Sequence, residues 1–113
     1  SYFFLKLLKK LNFLKKIKII ENFMNSQKKL LSSFNCINNF FGIGNMWGIE
    51  INQDYKKGID LTNLIRSELL QEGLITWECG VKANVIGLIP PICSKKSSLD
   101  LSISILTKIL MKF

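Results

Sequence analysis

This sequence has no histidine, three cysteines, two prolines, and eight acidic residues against sixteen basic ones. Without histidine there is no Ser–His or Cys–His dyad and no ordinary general base near neutral pH. Cys36, Cys79 and Cys93 are far apart, odd in number and never spaced as CxxC. Neither a zinc site nor a secreted disulfide framework is therefore expected. Reduced thiols in a cytoplasmic protein are the plain reading, with Cys79 and Cys93 as small buried hydrophobes rather than nucleophiles. No run approaches the ~18 uninterrupted apolar residues of a spanning helix. The N-terminal stretch also lacks the continuous apolar core and small-residue cleavage site of a signal peptide.

What is present is a 113-residue chain, 48% apolar, with eight Phe, two Trp and two Tyr. That is enough for one modest core and excludes a disordered tail. The net charge of +8 is uneven. Residues 1–31 hold eight lysines against Glu21, and the rest of the chain is almost neutral. In that first stretch Phe4, Leu7, Leu8, Leu11, Leu14, Ile17, Ile20 and Met24 recur every three or four positions. The spacing predicts a long basic amphipathic helix over residues 1–31, with one face on the core and a solvated lysine face. Weak contact with an anionic membrane surface or a partner protein, in a small non-enzymatic basic protein, is the alternative. Nucleic acid is not an expected partner.

The Ser/Asn-rich cluster Ser32–Asn39 reads as a turn. A strand follows over Asn45–Ile51, then a polar loop over Asn52–Lys57. A helix runs from the N-cap Asp60 to the C′ residue Gly73. Two short strands follow, Leu74–Glu78 and Val85–Ile89, the second stopped by Pro90–Pro91. A final helix carries Leu99, Ile103, Leu106, Leu110 and Phe113 on one face. The fold class is α+β: a two-layer domain with a small three-stranded sheet, helices packed on one face, and a long N-terminal helix in front. Residues 1–113 form a single domain on this reading, residues 41–113 being the sheet and its helices.

No catalytic constellation stands out. Gly42-Ile43-Gly44 is followed by a strand instead of a helix, and no Lys-Ser/Thr pair comes after it, so it is not a phosphate loop. Its glycines are read as allowing close backbone approach. Glu50 and Glu78 are a candidate carboxylate pair, but with no histidine and no defined spacing they are not expected to do acid–base work. Trp47 and Trp77 are read as buried core.

Three segments carry a resemblance: Phe41–Ile51 (FGIGNMWGIEI), Ser67–Gly80 (SELLQEGLITWECG) and Asn84–Ile92 (NVIGLIPPI). In this order they resemble the small C-terminal domain of class III pyridoxal-phosphate aminotransferases. That family includes the ornithine, acetylornithine, 4-aminobutyrate and diaminobutyrate enzymes. The likeness covers residues 12–113. Phe41 stands where the family's first motif commonly has arginine. Gly87 stands where many members have an arginine that binds a substrate carboxylate. As the resemblance implies, Gly87 marks the substrate-binding position, and that contact is lost here. The Schiff-base lysine and the remaining cofactor contacts belong to the family's large domain. The isolated chain is therefore expected to bind no pyridoxal phosphate and to be inactive. Its partners would be that large domain or a homodimer partner. The chain opens on Ser rather than Met, and a truncated or internally defined product is expected.

Overall fold

The computed structural model describes residues 1–55, 60–80, 82–91 and 94–113, apart from the Tyr55 side chain. The expected burial of Cys93 and the Lys56–Lys57 end of the polar loop lie outside these residues. Eight elements follow in order: α1 (Tyr2–Ser32), β1 (Ile37–Ile43), β2 (Met46–Ile51), a 3-10 turn (Gln53–Tyr55), α2 (Leu61–Gln71), β3 (Trp77–Cys79), β4 (Val85–Leu88) and α3 (Lys96–Leu110). The fold is α+β, as expected, but the sheet has four strands, ordered β1-β2-β4-β3 and antiparallel at every pairing.

The extra strand is β1, which begins inside the segment read as a turn. A register shift between Ile37 and Asn39 turns Asn38 and Asn39 outward while Ile37 and Phe40 stay buried. This irregularity hides the period-2 signal. Ile43 pairs with Met46, leaving Gly44-Asn45 as a two-residue hairpin loop. Gly44 has φ +60°, the left-handed value a type II′ turn needs at its first central position. The Glu21 carboxylate on α1 accepts the Gly44 N–H at 2.7 Å and is itself paired with Lys18 at 2.8 Å.

Alternation then decides which face is buried. Phe40, Trp47, Ile49, Ile51, Ile86 and Leu88 point to one side and join Ile20, Met24 and Leu31 of α1, Leu61, Ile65 and Leu69 of α2, and Leu99, Ile103 and Leu106 of α3 in one core. Phe40 and Trp47 stack at 5.1 Å between centroids, and the Trp47 indole N–H donates to Gly44 O at 2.8 Å. Gly42 lies beneath that ring. A Cβ there would sit 2.4 Å from Met46 O and from Trp47 Cδ2, so close approach is what this glycine provides.

The helix ends behave as expected. Asp60 accepts the Asn63 N–H at α2's start. At its end Gly73 (φ +90°) donates to Leu70 O, and Leu74 donates to Leu69 O. Those two bonds form a Schellman motif.

The amphipathic reading of α1 needs correction. Only Ile20, Met24 and Leu31 are buried, while Phe4, Leu7, Leu8, Leu11 and Leu14 are exposed. A 31-residue helix is about 46 Å long, and a seven-residue strand spans only about 24 Å. The first turns therefore have nothing beneath them. The radius of gyration, 16.0 Å, exceeds the ~13 Å of a compact chain this long for the same reason. At about 100° per residue, Lys6, Lys9, Lys10, Lys15, Lys16 and Lys18 spread around the whole axis among the apolar side chains. A membrane-surface helix needs two distinct faces, so that alternative finds no support. Among the described residues no helix is long and apolar enough to cross a membrane.

Phe40→Ala should cost about 3–5 kcal/mol, read from the shift in urea midpoint. The Glu21 carboxyl is held below the usual 4.5, first by Lys18 and then by the Gly44 amide. A depressed carboxylate stabilises the fold above its ordinary value, and that contribution disappears as pH falls through the lowered one. Glu21→Gln should therefore destabilise the chain at neutral pH and flatten the acid limb of its stability profile, measured by urea midpoints at successive pH values.

Candidate functional site

The helices leave the other side of the sheet bare, and strand register arranges what lies on it. Phe41 pairs with Gly48, Gly48 with Gly87, and Gly87 with Trp77. Paired residues share a face, so these four form one row across all four strands. The middle two carry no side chain. The Phe41 ring leans across Gly48, where an added Cβ would meet Cζ at 2.9 Å. At Gly87 an added Cβ would lie 3.0 Å from Cys79 Sγ and 3.5 Å from Trp77 Cβ, both on this face. Any side chain at position 87 would leave the sheet through its open side.

Two expectations are corrected here. Trp47 is core, at 4% exposure, but Trp77 is 49% exposed on the bare face. Cys36 is buried, whereas Cys79 is exposed. Both departures have one cause: β3 is a three-residue edge strand with a helix layer beneath it and nothing above.

Glu50 and Glu78 do not form a pair. Glu50 is opposite Val85 on the open face and has no partner among the described residues. Glu78 is opposite Ile86 on the helix side and meets Arg66 Nη1 at 3.4 Å. Arg66 also donates to Thr76 O at 3.1 Å, which ties β3 to α2. The reading of Gly42-Ile43-Gly44 as no phosphate loop agrees with the geometry, since the Gly44 N–H already donates to the Glu21 carboxylate. Among the described residues no cluster of His, Cys, Asp or Glu could hold a metal.

A second concavity, about 660 Å³, opens on the helix side between the end of β4 and the first turns of α3. Leu74, Leu88, Pro90, Leu99 and Ile103 line it, with Lys95 at its edge. Lys95 and every other described lysine are exposed. A Schiff-base lysine must be desolvated to be a nucleophile at neutral pH, so the described residues do not fit a pyridoxal cofactor.

This arrangement, a long helix leading into a one-sided antiparallel sheet, recurs in solved aminotransferases. Ornithine aminotransferase of Plasmodium yoelii matches 96% of this chain with 28% of its own, at TM-score 0.79 and 24% identity. Ornithine delta-aminotransferase of Plasmodium falciparum matches 96% with 26% of its own, at 0.78 and 25%. Adenosylmethionine-8-amino-7-oxononanoate aminotransferase of Methanocaldococcus jannaschii matches 96% with 25% of its own, at 0.77 and 21%. The chain thus spans about a quarter of the length of the solved structures it matches. A search of curated proteins found no match.

The sequence model described as aminotransferase class-III matches residues 2–110. The chain belongs to the class III aminotransferase family.

Because Cys79 is exposed and Cys36 is buried, a thiol reagent should label Cys79 in the folded chain and Cys36 only on unfolding, as peptide mass mapping would read.

Proposed function

We propose that this chain works as one domain, residues 1–113, of a pyridoxal-phosphate-dependent aminotransferase, and that its bare sheet face closes one wall of the substrate cleft. The support is a single conjunction. A chain whose family match runs over residues 2–110 presents a sheet face free of helices, whose central pair, Gly48 and Gly87, lies under the Phe41 ring and beside Cys79 Sγ. Bare glycines in central strands weaken a sheet and are tolerated where another body approaches the backbone closely. The cofactor, when bound to the large domain of such an enzyme, supplies the electron sink for amino-group transfer. The residues of this chain would bound the cleft, exclude water and help select the amino acid. The large domain, and a second copy in a homodimer, are the partners this reading requires. A cytoplasmic setting fits the exposed Cys79 thiol.

The isolated chain should show no transaminase activity and no reducible, stoichiometric imine at any lysine. Such an imine would sink the assignment of cofactor binding to the large domain. Supplied with an aminotransferase large domain, Gly87→Arg should strengthen 2-oxoglutarate or glutamate binding about ten- to a hundred-fold, since a well-placed Arg–carboxylate pair contributes roughly 1.5–3 kcal/mol. If the complex forms and acceptor affinity is unchanged, position 87 does not face the substrate.

A further inference from the structure

The cavity on the helix side has a chemistry that the family relation leaves unassigned. Its floor is buried and apolar: Met24 from α1, Leu88 from β4, and Leu99, Ile103 and Leu106 from α3, each at most 8% exposed. At about 660 Å³ it falls within the ~300–1,000 Å³ of small-molecule sites. Protein interiors hold few voids larger than a water, so a gap of this size over a core floor is room for a ligand.

The polar groups gather on the α3 side. Ser94, Ser98 and Ser102 line the cavity four residues apart, with Lys95 beside them. Ser102 Oγ donates to Ser98 O at 3.0 Å, whereas the Ser94 and Ser98 hydroxyls have no partner among the described residues. Lys95 is the one charged residue among the described residues that line the cavity. Asp100, next to Leu99, is exposed and does not line it, and Glu72 is paired with Lys108 at 3.0 Å. α3 begins at Lys95 with no side-chain cap and no acid in its first turn, so no carboxylate of the described chain neutralises that end.

An aliphatic chain laid on this floor would leave water for an apolar surface. An ammonium at the mouth would face Lys95 and the positive end of α3, while a carboxylate there would meet the Lys95 ammonium and two hydroxyl donors. We infer that this cavity binds a medium-chain aliphatic carboxylate, its tail on Met24, Leu88, Leu99 and Ile103 and its head at Ser94, Lys95 and Ser98. The site lies on the other side of the sheet from Gly87, so the inference is independent of the cleft-wall reading.

The test uses the full chain without cofactor, and octanoate, octylamine and 1-octanol below their aggregation concentrations. The Leu88, Leu99 and Ile103 methyls and the amides of Lys95–Ser98 are followed by NMR. Octanoate should shift both sets together. Octylamine should bind at least tenfold more weakly, with 1-octanol between the two. Lys95→Gln should weaken octanoate about three- to fivefold, an exposed ion pair being worth up to ~1 kcal/mol. Lys10→Gln, on the projecting part of α1, removes the same charge and should leave octanoate binding unchanged. Ile103→Phe fills the floor and should weaken octanoate and 1-octanol alike. Lys95 is exposed, so its variant decides the matter whether or not Ile103→Phe folds. The site is overturned if octanoate and octylamine bind equally, if octanoate shifts only the first turns of α1, or if Lys95→Gln binds it unchanged. Equal losses in Lys10→Gln and Lys95→Gln would overturn it too, because net charge alone would then account for the preference.

Discussion

All the helices among the described residues pack on the same side of the sheet, and that one-sidedness governs the rest of the molecule. It makes β1, β2 and β4 two-natured, with Phe40, Trp47, Ile49 and Ile86 buried and Phe41, Met46, Glu50 and Val85 left facing outward. The sheet is anchored where the two layers meet, at the stacked Phe40–Trp47 pair and the Gly44 turn held by Glu21. It also explains how two opposed glycines survive in the central strands. On a face packed against helices, Gly48 and Gly87 would leave voids next to core side chains, and each missing methylene would be felt. On the helix-free face the Phe41 ring covers Gly48 and Cys79 Sγ flanks Gly87, and each glycine costs backbone entropy on the order of 1 kcal/mol.

Where the sequence was legible, local chemistry and tertiary context agreed. Asp60 and Gly73 bracket α2 with a side-chain cap and a Schellman motif, both written in residues adjacent to the helix. The last helix was separable from a strand because its apolar spacing of three and four continued to the terminus, and Leu99, Ile103, Leu106 and Leu110 are all buried. The class III family was readable from three short motifs in order, and the family match over residues 2–110 agrees with it. Strand β1 was not legible. Its two asparagines and register shift break the alternation, and in the Gly44-Asn45 pair that closes its hairpin the spacing reads Gly44 only as permissive backbone and Asn45 as the first residue of the next strand. That dipeptide between two apolar runs is itself a hairpin signal, and was the clue available.

The first helix shows the opposite failure, a clear periodicity with no surface to receive it. Spacing reports that Phe4, Leu8 and Leu11 could share a face, but it cannot report that the sheet ends two turns before them. For Trp77 and Cys79, residue type argued for burial, and only the topology shows that β3 is an edge strand open on one side. On the helix-free face only Phe41 and Gly87 are singled out by the sequence, and through resemblance instead of pattern. Phe41, Gly48 and Trp77 are up to 46 residues from Gly87 in sequence and are brought alongside by pairing. Register of that kind leaves no mark in linear spacing.

The net charge misdirects in the same way. A total of +8 suggests an appetite for anions, yet it is concentrated on α1, and the sheet face has no basic strand residue. Lys6, Lys9 and Lys10 precede Ile17, the α1 residue beside Gly44, by seven to eleven positions, about 10–17 Å along the axis. Salt screens exposed charges beyond about 8 Å at physiological strength, so those lysines contribute little to the potential over the glycine row, which lies further across the sheet. Nearer the turn, Lys18 is already paired with Glu21, while Lys15 and Lys16, next to Ile17, are exposed at the hairpin end of the sheet. Away from that hairpin end, what an anion would meet on the face is decided by the strand residues themselves, two aromatic rings and a carboxylate. The global excess of lysine and the local chemistry of the face have opposite signs, and for a ligand held against the sheet the local sign governs.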